Sequence, residues 1–255
     1  MSRRGGLRLI DVHCHLHDEA FDGDRDNVIK RALDNGVEVM VTSTLSLHEL
    51  KKAFEIARRH EYVKVSAGFN PLNTSMTEAE ELAREVKRVR NSILAIGEVG
   101  LDFFFMKGED RDAQVKVFRF WISVASELKL PIVVHSRSAG RYAIELLIEE
   151  DYDRVLMHAF DGSSGWALKG VSKGFLFSIP PSIVRSRQKI KLVRSIPLDF
   201  LAVESDAPVL GPTPTERNEP LNIVVGATKI AEVKKIDLAE ACEALYSNSK
   251  SFFKL

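Results

Sequence analysis

Cysteine is scarce in this chain: Cys14 and Cys242 are the only two, too few for a disulfide framework and without the C-x-x-C spacing of a structural zinc site. That scarcity fits a reducing, cytoplasmic setting. Long apolar runs are missing too. The stretch that follows residues 1–6 is short and is broken by Arg8, Asp11 and His13, so neither a signal peptide nor a membrane span is expected. Net charge is also absent, with 36 basic residues against 36 acidic ones, and so no global field draws the chain to nucleic acid or to an anionic membrane. Any contact with nucleic acid must be local, and without a long basic run it carries no sequence specificity. No linker, repeat or low-complexity block interrupts residues 1–255, which read as one domain, and nothing points to a protein partner.

What the chain does have is 45% hydrophobic residues, enough for a large core, and 255 residues, the length at which a single α/β barrel closes. Short β-rich runs alternate with longer helical patterns from end to end, which predicts parallel βαβ units. The expected strands are Leu9–Cys14, Val37–Ser43, Tyr62–Ala67, Ile93–Gly97, Ile132–His135, Arg154–His158, Gly174–Ser178 and Phe200–Glu204. Among the helices, Asp110–Leu128 repeats Val115, Phe118, Ile122, Ala125 and Leu128 at helical spacing, the mark of a buried stripe. Asn35-Gly36 and Asn91-Ser92 fall where helices should stop. Eight strand–helix units predict a (β/α)8 TIM barrel, with its chemistry at the carboxyl ends of the strands. A doubly wound open sheet would not naturally bring the first and last strand ends together.

Histidines mark that rim. Four of the seven, His13, His15, His135 and His158, stand at predicted strand ends, whereas His48 and His60 fall within or at the end of a helix and read as structural. In Asp11-Val12-His13-Cys14-His15 the two imidazoles are two residues apart, so in a strand they share a face and can chelate one ion. His17 lies further along and reads as a loop residue supporting the ligands. Two ions need a bridging carboxylate. Glu98 is the candidate, because Gly97 and Gly100 leave room for close approach. Two ions held close share and acidify a hydroxide and clamp the oxygens of the group attacked. Asp206, after the last strand, fits as a ligand and as proton acceptor from that nucleophile. Glu204 and Asp102 read as groups that orient ligands, and Arg137, next to His135, as a phosphate-binding candidate.

The segments Asp11-Val12-His13-Cys14-His15-Leu16, Gly97-Glu98-Val99-Gly100-Leu101-Asp102, Val134-His135-Ser136-Arg137, His158-Ala159-Phe160-Asp161-Gly162 and Glu204-Ser205-Asp206-Ala207-Pro208 resemble, in order and over essentially the whole chain, those of the TatD family of metal-dependent deoxyribonucleases. The resemblance implies one metal on His13, His15, Glu98 and Asp206 and a second on Glu98, His135 and His158. It also implies hydrolysis of phosphodiester bonds in DNA, often as a 3′-to-5′ exonuclease, with magnesium, manganese or zinc as the divalent ion. Arg217-Asn218-Glu219-Pro220 resembles the family's arginine–asparagine loop, where a guanidinium can grip a phosphate.

Three departures bear on substrate. Asn70, in Gly68-Phe69-Asn70-Pro71, stands where the family has histidine, so a substrate contact there can hydrogen-bond but cannot carry a proton. Asp161 adds a carboxylate near any incoming phosphate, and Val209 replaces an aromatic that could stack on a base. These departures keep a second reading open, a binuclear amidohydrolase or esterase acting on a small amide, lactone or phosphoester. A third, a catalytically idle scaffold, is disfavoured because all six expected ligands are present.

Overall fold

Hydrophobic spacing and serine caps together set where the chain turns helical. Ser46 accepts from the Glu49 N–H at the start of one helix while the Glu49 carboxylate accepts from the Leu45 N–H, a reciprocal arrangement that satisfies two otherwise free donors. Ser75, Ser163 and Ser186 start three others with the serine half of that arrangement alone, each hydroxyl accepting from the N–H three residues on. The computed structural model describes residues 7–255, so the expectation for residues 1–6 lies outside the described part.

Eight parallel strands follow one another around a single sheet in chain order: β1 (Leu9–Cys14), β2 (Val37–Thr44), β3 (Val63–Ala67), β4 (Ala95–Gly100), β5 (Ile132–His135), β6 (Val155–Met157), β7 (Leu176–Ile179) and β8 (Leu201–Val203). Helices α1 (Arg25–Asp34), α2 (Leu47–Arg59), α3 (Met76–Arg88), α4 (Glu109–Leu128), α5 (Gly140–Glu149), α6 (Ser164–Val171), α7 (Arg187–Ser195) and α8 (Ile223–Lys234) each follow a strand, and α9 (Leu238–Phe253) ends the chain. This is the expected (β/α)8 barrel. All eight expected strands form, with ends displaced by a residue or a few, and among the described residues no helix is long and apolar enough to cross a membrane.

Ile10, Val12, Val41, Ala95, Val133, Leu156, Leu176 and Ala202 pack inside the barrel, together with Tyr246 and Phe253 of α9. Asn248 of α9 donates to the carbonyls of Leu198 and Leu201, and the Arg8 guanidinium meets the Tyr246 hydroxyl, so α9 stops the mouth at the amino ends of β1 and β8. Burial of each large side chain in that plug contributes roughly 1.5–3 kcal/mol. The opposite mouth, at the carboxyl ends, stays free for a site.

Two irregularities aim residues into it. The β1–β2 ladder pairs Asp11 with Met40 and then Cys14 with Thr42, leaving an extra residue on β1 next to His13. The β4–β5 ladder pairs Ile96 with Ile132 and then Val99 with Val134, which does the same beside Glu98. A Cβ at Gly100, whose φ is +146°, would stand 2.0 Å from the His135 carbonyl oxygen, so only glycine lets β4 and β5 approach here.

The seam between β8 and β1 is stitched by Asp11. Its buried carboxylate accepts from the Ser205 N–H (2.8 Å), the Ser205 hydroxyl (2.6 Å) and, more weakly, the His13 N–H (3.3 Å). Backbone bonds from Asp206 N to His13 O (2.9 Å) and from His15 N to Ala207 O (2.8 Å) extend the seam past the strand ends. Burial pushes the Asp11 carboxyl up to about 7, against the pull of the Ser205 and His13 donors. An acid whose folded pKa exceeds its unfolded value makes the fold less stable as pH rises between the two, here from about 4 to about 7. By linkage the full cost is about 4 kcal/mol above that window. Asp11→Asn keeps the shape and an acceptor for the backbone donors. In metal-free protein its unfolding free energy should therefore gain on wild type steadily as pH rises through that window in denaturant titrations, and a constant difference would show that Asp11 does not titrate there.

Candidate metal centre

The carboxyl-end mouth collects its polar groups from five strands. His13 belongs to β1 and His15 lies one residue beyond it; Glu98 is in β4, His135 ends β5, His158 follows β6 and Asp206 lies three residues past β8. Around Glu98 Oε2 stand His13 Nε2 at 2.8 Å, His15 Nε2 at 3.7 Å and His158 Nε2 at 3.7 Å, while Oε1 faces His135 Nδ1 at 3.5 Å. Asp206 Oδ1 is 3.4 Å from the Nε2 atoms of both His13 and His15. Three groups therefore offer ligand atoms within 4.8 Å of one another: His13, His15 and Glu98; Glu98, His135 and His158; and His13, His158 and Asp206.

Each imidazole is held from behind. His15 Nδ1 lies 2.9 Å from the Ser43 carbonyl oxygen, His158 Nδ1 is 3.2 Å from Glu204 Oε2, and His135 Nε2 is 3.1 Å from Asp102 Oδ2. These partners can only accept, so the outer nitrogen keeps a proton and the inner one is the atom that gives up its proton and offers a lone pair when an ion binds. His13 Nδ1 meets the Ser43 hydroxyl at 3.0 Å. Glu204 is itself fixed by the Ser178 hydroxyl (2.6 Å) and the Ala159 N–H (2.8 Å). Strands β2 and β7 thus supply supports rather than ligands, and β3 supplies neither.

The donor set fits divalent ions. Glu98 Oε2 is buried and has no hydrogen-bond partner among the described residues, despite the imidazoles around it. His13 Nε2 and His15 Nε2 face each other at 3.2 Å, two nitrogens that in neutral rings repel unless a cation lies between them. The rings of His13 and His158 stack at 3.9 Å, an arrangement that two charged imidazolium rings would resist. Burial works against the Glu98 carboxylate, but the His13 contact and the other imidazoles around it outweigh burial and hold the acid well below the usual carboxylate range. Asp206 behaves likewise, with His13 and His15 overcoming burial. Burial also lowers the affinity of His13, His15 and His135 for protons, and the facing carboxylates more than reverse it.

A half-open cleft of about 520 Å³ lies over this centre, lined by every expected ligand except the fully buried His13 and by Ser136, Arg137, Asp161, Lys189, Val209 and Leu210. Arg137 is exposed and forms no ion pair among the described residues. Ser136, 3% exposed, leaves its hydroxyl without a partner among the described residues. Asp161 accepts from the Ser138 N–H at 2.8 Å, which occupies one of its oxygens at the rim.

Three residues expected to meet substrate are placed elsewhere. The Arg217 guanidinium is committed to Asp24 (2.7 and 2.8 Å) and Glu219 (3.1 Å), tying the loop after β8 to the start of α1, and it does not line the cleft. Asn218 is buried and donates to the carbonyls of Ser205 (2.6 Å) and Val209 (2.7 Å) while accepting from Asn222, so its amide holds the Asp206 loop in shape. Asn70 accepts from the Leu72 N–H at 2.9 Å as part of its own turn. His17 is buried between Thr42 and Glu49, away from the convergent atoms, and His60 pairs with Asp26.

Other contributors were not read from the sequence. Asp11 and Ser43 support the ligands from behind. Lys189 of α7 is buried beside the cleft, and its Nζ donates to the carbonyls of Ala159 (2.6 Å) and Phe160 (2.9 Å), holding the turn that follows His158. Burial lowers the pKa of this ammonium. Asp11 stood inside a motif already in view, but nothing in the local sequence of a helix such as α7 signals that one lysine reaches across to another loop.

Two outcomes follow for metal binding. Because His13, His15 and His135 hold protons above their ordinary range in the metal-free centre, ion binding must displace them, and isothermal titration should show affinity rising with pH and proton uptake by the buffer. Glu204→Gln, which weakens the support behind His158, should lower metal affinity roughly 10- to 100-fold; unchanged affinity would show that this support is dispensable.

The family described as TatD related DNase matches residues 10–254. The protein of Homo sapiens named deoxyribonuclease TATDN3 is 39% identical, across 98% of this chain and 96% of its own. The protein of Erwinia amylovora named 3′-5′ ssDNA/RNA exonuclease TatD is 30% identical, across 97% of this chain and 100% of its own. Among solved structures, the TatD homologue YJJV of Escherichia coli superposes with a TM-score of 0.89 at 24% identity, covering 98% of this chain and 99% of that one, and so has the same fold. On the reach of that match and the identity to these relatives, this chain is a member of the TatD related DNase family.

Proposed function

We propose that this protein is a metal-dependent deoxyribonuclease that hydrolyses phosphodiester bonds of DNA without sequence specificity, working as a 3′-to-5′ exonuclease on two divalent ions, magnesium, manganese or zinc. The observation that carries the reading is the buried Glu98 carboxylate, its Oε2 left without a satisfied hydrogen bond, at the convergence of four imidazoles. Family membership and the names of two relatives, a deoxyribonuclease and a 3′-5′ ssDNA/RNA exonuclease, support the substrate class.

His13, His15, Glu98 and Asp206 would hold one ion and Glu98, His135 and His158 the other, with Glu98 between them. Bound there, divalent ions supply Lewis acidity, which acidifies water and polarises phosphoryl oxygens. The chain's own groups do the rest. Asp206, kept ionised by its imidazole neighbours, accepts the proton lost by the attacking water. Arg137, unpaired and exposed at the cleft, presents a planar guanidinium that matches a phosphate's two oxygens. The Ser136 hydroxyl, buried and unpartnered in the same cleft, is placed to donate to a phosphoryl oxygen. Glu204 and Asp102 keep His158 and His135 in the tautomer that faces inward. The half-open shape of the cleft suits an extended strand better than a small amide or lactone.

The test is release of mononucleotides from a single-stranded oligonucleotide. Metal-replete protein should release them from the 3′ end, a chelator should abolish the release, and readded divalent ion should restore it. Asp206→Asn should slow turnover at least about 100-fold. Full activity in that variant would remove Asp206 from the mechanism, and an inert wild type in all three metals would overturn the substrate assignment.

A further inference from the structure

The loop after β4 carries aromatic surface beside the cleft. Phe104 and Phe105 are 52% and 55% exposed, and Tyr142, near the start of α5, is 50% exposed. Left in water, such rings contribute little to the fold and mark a place where something binds. Cations sit among them: the Arg137 guanidinium lies over the Phe104 ring at 4.1 Å and over Phe105 at 5.0 Å, and Arg141 lies over Tyr142 at 5.9 Å. Arg137 also lines the cleft beside His135 and His158, so the aromatic surface is continuous with the metal centre.

A single carboxylate ties the two together. Asp102 Oδ2 meets His135 Nε2 at 3.1 Å, and Asp102 Oδ1 accepts from the N–H groups of Phe104 (3.1 Å) and Phe105 (3.2 Å). Asp102 thus sets the direction of a metal-facing imidazole and the position of both rings at once.

We infer that Phe104 and Phe105, with Arg137 stacked on them, form a platform on which the bases next to the scissile phosphate stack. The inference rests on the nuclease reading and gives it a strand preference. A nucleotide strand matches both halves of the surface, a flat base for the rings and a phosphate for the guanidinium edge that stacking leaves free. A purely apolar protein partner would bury that guanidinium without an acceptor. Duplex bases already stack on one another, so the platform selects single strands or frayed ends, and it tolerates any sequence because every base has a flat face. The aromatic face missing at Val209, which lines the same cleft as Arg137, is supplied here by the rings under that guanidinium.

The experiment compares wild type with Phe104→Ala/Phe105→Ala on a single-stranded oligonucleotide and on the same strand with abasic residues at its terminal positions. On the intact strand the variant should show a KM raised roughly ten-fold or more with kcat close to wild type. On the abasic strand the two proteins should behave alike. Phe104→Tyr/Phe105→Tyr, which keeps both ring faces, should restore the wild-type KM. An unchanged KM for the alanine variant, an equal loss on both strands, or a collapse of kcat would each overturn the platform, the last two by pointing to damage at His135 instead. A terminal 2-aminopurine supplies a readout independent of cleavage, since its fluorescence should be quenched on binding to wild type and not to the alanine variant. Quenching without cleavage in any metal would sink the nuclease reading while leaving the platform standing; cleavage without quenching would do the reverse.

Discussion

The barrel closes on a buried carboxylate. Asp11 draws the start of the segment after β8 against β1, and through Ser205 and the neighbouring backbone bonds it fixes where Asp206 stands relative to His13 and His15. A hydrophobic seam would be cheaper for the fold, because burial alone disfavours this charge. It would not be directional. Three donors on one carboxylate set a register that apolar packing leaves free to slide, and the first and last ligand strands need that register to bring their side chains to the same ion.

Within the rim, the organising rule is that each inward nitrogen is answered by a fixed partner behind it. Ser43 serves two rings, through its carbonyl for His15 and its hydroxyl for His13, while Glu204 and Asp102 serve one each. The supporting groups come from strands or loops other than those of the ligands they hold, so the centre stays aligned only while the whole barrel does. Metal affinity and global stability are linked for that reason: ions bound to the folded state and not to the unfolded chain stabilise it by mass action.

Much of this was legible in the sequence because periodic signals are local. Strand alternation, the histidine pair in β1 and the carboxylate between glycines in β4 each express a neighbour relation along the chain, and the strand ends place them on one rim. Residues whose role depends on a distant partner were harder to read. Arg217 and Asn218 sit in a loop that looks suited to substrate, yet Asp24 on the far side of the seam claims the arginine and the carbonyls of the Asp206 loop claim the amide. Lys189 shows the opposite case, an ordinary helix residue whose ammonium reaches across to hold the turn after His158. In both cases the deciding partner is remote in sequence, and no local pattern names it.

The strands are unequal in their burden. β1, β4, β5 and β6, with the segment after β8, carry or immediately precede the ligands, and β2 and β7 carry the groups that hold them, whereas β3 carries neither. Its carboxyl end opens through Gly68-Phe69-Asn70-Pro71 onto a hollow of about 420 Å³ lined in part by Leu45, Phe69 and Glu78. The near part of that edge is not free to change: a Cβ at Gly68 would stand 2.1 Å from the Glu98 carbonyl oxygen, and the Phe69 N–H donates to the same oxygen at 3.0 Å, so the segment after β3 holds Glu98 from behind although it supplies no ligand. Beyond Pro71 the chain borders that hollow rather than the cleft over the centre, so the room for change at this edge begins only where the contacts to Glu98 end.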